Sequence, residues 1–146
     1  MEKIAYGGWP NCIRLANDDI ELVVTSDVGP RVRRLAFIGG ENLLKEYPEQ
    51  MGQTGGKEWC IYGGHRLWHA PEQIPRTYWP DNVPVQTEWD GQTLKLIQPI
   101  EETTRIQKEI EITLDPMNNV VRLVHRLINL GPWDITLAPW ALSVMA

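Results

Sequence analysis

The chain has 146 residues, 42% hydrophobic and 23% charged, with a formal net charge of −5 at pH 7. That composition excludes a disordered chain. The acidic balance and the lack of any dense Lys/Arg run exclude sequence-independent nucleic-acid binding, which needs many phosphates neutralised.

This length predicts one domain, residues 1–146, burying ~70% of the surface its unfolded chain exposes. No segment reaches the ~18 apolar residues of a membrane span, and the N-terminus lacks the apolar core of a signal peptide. A cytoplasmic protein with no membrane partner is expected. Cys12 and Cys60 are too few for a disulfide framework and too far apart for a metal knuckle, so separate reduced thiols are expected. Seven tryptophans stand against one phenylalanine. Indole is a broad amphipathic plate that suits core packing and also the stacking of a sugar ring.

Along the chain the periodicity is mostly two. Ile13–Leu15, the turn Asn17-Asp18-Asp19 and Ile20–Thr25 read as a hairpin. Gly29-Pro30 breaks the chain and Arg31–Ile38 resumes an extended run up to Gly39-Gly40. Residues 47–84 then read as a long irregular excursion rich in Gly, Pro and aromatic residues, and loops of that length are often functional. Val83–Trp89, Asp90-Gly91 and Gln92–Ile97 form the strongest hairpin signal, with Asp-Gly suited to a type I′ turn. In 103–114 one face carries Thr104, Ile106, Lys108, Ile110, Ile112 and Leu114, which predicts a strand with one wet face. Val120–Leu130 returns after Asp115–Asn119, and Ile135–Met145 forms a last extended run. Hairpin-linked strands without a helix predict an all-β antiparallel β-sandwich. The final run is apolar and has no cap or polar tail after it. Exposed edges of that kind invite pairing, so this strand is expected to be covered, either by a continuing C-terminal half or by another subunit in a homo-oligomer.

The densest group of reactive side chains is Gly63-Gly64-His65-Arg66-Leu67-Trp68-His69-Ala70-Pro71-Glu72. His can shuttle a proton near neutral pH, Arg can grip a carboxylate or phosphate, and Trp can stack. His65, His69 and Glu72 are therefore the candidate catalytic residues. Arg66 and Trp68 are the candidate substrate contacts, followed by Arg31, Arg76 and His125. No metal is expected: His-x-x-x-His presents both rings to one ion on a helix, and Gly63, Gly64 and Pro71 oppose a helix here. The plainer alternative has the glycines making a turn, Leu67 and Trp68 filling the core and the histidines bonding backbone carbonyls. His125 alternates in phase with Val121, Leu123 and Leu127, which points it toward the interior. Ser26 and Ser143 sit in no nucleophile-elbow context.

The segments Asp27-Val28-Gly29-Pro30-Arg31-Val32 and Gly40-Glu41-Asn42-Leu43-Leu44, the run Gly63–Glu72, and Val124–Trp133 with Leu137–Leu142 together resemble galactose mutarotase-like (aldose 1-epimerase-like) proteins. The resemblance covers nearly the whole chain. It implies the N-terminal part of a longer β-supersandwich with a small-molecule sugar in a cleft, and no cofactor. It also implies chemistry in which a His protonates the ring oxygen and a Glu removes the anomeric proton. His65 or His69 would match a first-half histidine of the family. The strand Thr136–Leu142, where the catalytic histidine falls, offers Pro139 and Trp140 instead. The catalytic glutamate belongs to the second half, beyond Ala146, so this chain alone is not expected to be a competent mutarotase.

Overall fold

The computed structural model describes all residues from Met1 to Ala146. It is an all-β sandwich of two antiparallel sheets. The first sheet contains β1 (Glu2–Tyr6), β2 (Trp9–Ala16), β3 (Ile20–Thr25), β4 (Arg31–Phe37), β5 (Gly64–Ala70) and β10 (Ala138–Val144), in the order β1-β2-β3-β4-β5-β10. The second runs in chain order through β6 (Gln86–Trp89), β7 (Thr93–Ile97), β8 (Ile106–Leu114) and β9 (Val121–Asn129). The only helical elements are two single 3₁₀ turns, Pro48–Gln50 and Arg76–Tyr78, so no helix is long and apolar enough to cross a membrane.

The sheets meet through the alternating apolar positions. Ile13, Leu15, Leu22, Val24 and Val32 of the first sheet pack against Leu94, Leu96, Ile110 and Ile112 of the second, with Leu44 and Val85 closing the ends. Each such side chain contributes about 1.5–3 kcal/mol when fully buried. A smaller cluster of Trp9, Cys12, Val23, Val28 and Tyr62 lies on the opposite face of the first sheet. The chain after Pro48 covers it: Met51 and Cys60 pack on the cluster, the Trp9 indole donates to Gln53 O at 2.9 Å, and Tyr62 N donates to the Gln50 side chain at 2.7 Å.

The N-terminal residues form a strand, β1, paired with β2. Two sequence expectations need correction. The Asp90-Gly91 turn is not type I′, because Gly91 alone adopts positive φ (103°). Asp90 instead accepts the Gln92 and Thr93 amides at 2.8 and 2.7 Å, an Asx arrangement that keeps its own φ negative. The second correction concerns the candidate site. Residues 64–70 form β5 within the first sheet, antiparallel to β10 along its whole length and joined to β4 through the pair Val32–His65.

Candidate functional site

β5 begins where the chain crosses two neighbouring backbones. Gly63 and Gly64 have φ of 77° and 73°, and a Cβ at either would stand 2.2 Å from Lys45 O or Val32 O respectively. Only glycine tolerates that approach. Beyond it the strand alternates, so neighbours in the motif face opposite ways. His65 and His69 point between the sheets, in phase with Leu67, and Arg66 and Trp68 point to the outer face.

Arg66 and Arg31 meet on the outer face around one carboxylate. Arg31 bonds Asp81 Oδ1, and Arg66 bonds Oδ2 at 3.1 Å. Arg31 also donates to Ile61 O through Nη1 at 2.9 Å and to Cys60 O through Nη2 at 3.3 Å, and Arg66 donates to Cys60 O through Nη1 at 3.3 Å, while the Nε of each arginine has no partner. All three side chains are almost sealed from solvent. Burial raises the Asp81 pKa, but the two arginines outweigh it and hold the carboxyl below its ordinary value. Burial, and then repulsion from Arg31, bring Arg66 down to about 9. The Arg66 guanidinium also lies 5.0 Å from the Trp68 ring centre and 5.5 Å from that of Trp59.

His69 belongs to a second buried network between the sheets. Glu101 accepts from Lys108 Nζ at 2.5 Å, Thr104 Oγ1 at 2.6 Å and Gln98 Nε2 at 3.3 Å. His69 Nε2 lies 3.7 Å from the same carboxylate, beyond hydrogen-bond length. Burial drives the Glu101 pKa up, but His69, Lys108 and Thr104 drive it down to about 2. Lys108, in phase with Ile106 and Ile110 on the apolar face of β8, is the one sequence signal of this network. Nothing in the sequence marked Asp81, Gln98 or Glu101.

Both networks border one cleft of about 480 Å³ at an end of the sandwich, within the ~300–1,000 Å³ usual for small-molecule sites. Trp79, Val83 and Ile100 give it apolar wall, and Lys57, Asp81, Gln98 and Glu102 give it polar groups. Gln98 is only 1% exposed, and its Oε1 has no hydrogen-bond partner. A buried acceptor left unsatisfied costs about 1–3 kcal/mol, so this oxygen is a standing demand for a donor.

The other sequence candidates lie elsewhere. The Trp68 ring meets those of Trp59, Tyr78 and Trp140 at 5.2–5.7 Å between centres, tilted or edge to face, leaving it no open stacking face. Glu72 is exposed and accepts from the Tyr78 hydroxyl, and Arg76 donates to Pro71 O at 2.6 Å. His65 bonds Ser143 Oγ through Nδ1 at 2.7 Å and His125 Nε2 through Nε2 at 2.9 Å, so the two histidines join β5 to β9 across the sandwich. Burial, and secondarily the neighbouring His125, lower His65 to about 4; burial also lowers His125. The candidate catalytic residues His65, His69 and Glu72 therefore occupy three separate places, and no set of three or more His, Cys, Asp or Glu side chains is gathered as a metal centre would need.

Fold and site together define an all-β sandwich with two buried ion networks behind a half-apolar end cleft. No family model, no curated protein and no solved structure matches this chain.

Proposed function

We propose that this chain binds a neutral sugar or a related polyol in the end cleft, as a carbohydrate-binding relative of aldose 1-epimerases without anomeric chemistry of its own. The observation that carries the reading is the buried, unpartnered Gln98 Oε1 of a cleft that Asp81 and Trp79 also line. A sugar ring has the matching halves: hydroxyl donors for the two acceptors, and a C–H face for the indole. Each Asp81 oxygen already takes one arginine N–H and keeps a second lone pair for a ligand hydroxyl. Lys57 and the two arginines offset Asp81 and Glu102, which suits an uncharged ligand. Binding without epimerisation fits the dispersal of His65, His69 and Glu72, since ring opening needs an acid and a base at one sugar.

Calorimetric titration with glucose, galactose and inositol tests the reading. Saturable binding of at least one is expected; Gln98→Ala should weaken it about five- to tenfold, the value of one neutral hydrogen bond, and Trp79→Ala, which removes the apolar wall, should also weaken it. Trp68→Ala should leave affinity unchanged. Binding that depends on Trp68 and ignores Gln98 would move the site to the outer face of β5 and refute the assignment. Polarimetry on pure anomers should show the buffer rate, and acceleration would overturn the non-catalytic part.

A further inference from the structure

Arg33 of β4 is fully buried, and its guanidinium is poorly supplied with acceptors. Nε and Nη1 have no hydrogen-bond partner, and Nη2 donates to the thioether sulfur of Met51 at 3.1 Å. Glu46, whose charge acts on Arg33, is bonded instead to the Tyr6 hydroxyl at 2.5 Å and the Asn42 amide at 3.2 Å. The Trp9 ring centre lies 5.3 Å from the guanidinium and contributes a cation–π contact. Burial, and secondarily repulsion from Arg31, bring Arg33 down to about 10.

A thioether is a weak acceptor, and a buried cation without strong partners is costly. A sulfoxide oxygen on the same sulfur is a strong acceptor. Met51 is only partly buried, so a small oxidant reaches its side chain and the new dipole is not wholly desolvated. We propose that Met51 is an oxidative modification site, at which conversion to the sulfoxide by a peroxide tightens the fold because Arg33 captures the added oxygen. Hydrogen peroxide transfers one oxygen atom to Sδ: the O–O bond breaks, the S–O bond forms, the sulfur is oxidised by two electrons and the peroxide is reduced to water. Methionine oxidation ordinarily loosens apolar packing; the unsatisfied guanidinium reverses the sign here. Met1, Met117 and Met145 are 55%, 85% and 60% exposed, so their sulfoxides stand in water and serve as internal controls.

The test treats the full chain with hydrogen peroxide, regenerates the thiols with a thiol reductant that leaves sulfoxides in place, and assigns each oxidised methionine by peptide mass mapping. Tm is expected to rise by about 2–4 °C in step with the Met51 sulfoxide, and methionine sulfoxide reductase should reverse the rise. In Arg33→Met, which lacks the donor, oxidation of Met51 should lower Tm. Should Arg33→Met fail to fold, Met51→Gln, whose amide oxygen matches the sulfoxide oxygen in position, should melt above the wild type and Met51→Leu below it. An unchanged or lowered Tm on Met51 oxidation would overturn the proposal. So would a rise that survives in Arg33→Met, a Met51→Gln no more stable than Met51→Leu, or a Met51 that reacts only once urea has unfolded the chain.

Discussion

Replacing Glu101 by Gln tests whether the buried network behind the cleft carries the energy its geometry assigns. The Glu101 carboxyl is fully buried and held at about 2, against an ordinary value of 4.5. At about 1.4 kcal/mol per pH unit, that shift corresponds to about 3 kcal/mol of coupling in favour of the ionised form. The depressed folded-state value fixes the sign: the stabilisation is complete above pH 4.5 and is lost as pH falls toward 2. Glu101→Gln removes the negative charge and leaves Lys108 buried with no ion-pair partner, so a loss of about 3–5 kcal/mol is expected at pH 7. With a urea m-value of about 2 kcal/mol/M, the midpoint falls by roughly 1.5–2.5 M. Urea keeps ionic strength constant, and the tryptophans report unfolding by fluorescence. The gap between wild type and variant should narrow from pH 4.5 downward and nearly close by pH 2. Adding Lys108→Met to the variant should recover part of the loss, since an apolar side chain has no charge to leave unpaired. A gap below about 1 kcal/mol at pH 7, or one of equal size at pH 7 and pH 2, would refute the argument.

Two further outcomes are expected. Because His65 is held at about 4 in the fold, against 6.5 for the free ring, the unfolded chain takes up its proton first. Stability should therefore fall by about 2 kcal/mol, after discounting for partial exposure, as pH drops from 6.5 to 4; urea unfolding of His65→Leu should show a flatter profile in that window and an unchanged one below it. Gly64→Ala combines a positive φ with a Cβ 2.2 Å from Val32 O and should cost at least about 2 kcal/mol, read as a lowered urea midpoint. A loss comparable to an ordinary surface substitution would show that the β4–β5 crossing relaxes freely.

The second-sheet hairpin was legible because one face of β7 is partly open: Thr93, Lys95 and Ile97 alternate with the buried Leu94 and Leu96. β5 was not, and the reason is burial on both sides. Arg66 and Trp68 lie under the outer loops, and Leu67 and His69 lie between the sheets, so polar and apolar residues occur on either face and the period-two signal vanishes. The reading of 63–72 as a loop followed from that. The inward phase of His125 was readable from Val121, Leu123 and Leu127. Its partner was not, because His65 stands on the other sheet, sixty positions away. Asp81 was invisible for a related reason: its role exists only where two arginines from β4 and β5 converge on an irregular segment.

The pairing of β5 sets an order of events as the chain is made. β5 meets β4 at a single residue pair but meets β10 along its whole length, across 67 intervening residues. Long-range pairings of this sort close late and fold slowly. Until residues 138–144 emerge from the ribosome, the strand bearing His65, Arg66, Trp68 and His69 has an open edge along most of its length, and a nascent chain paused there presents a ready surface for chaperones or for misassembly.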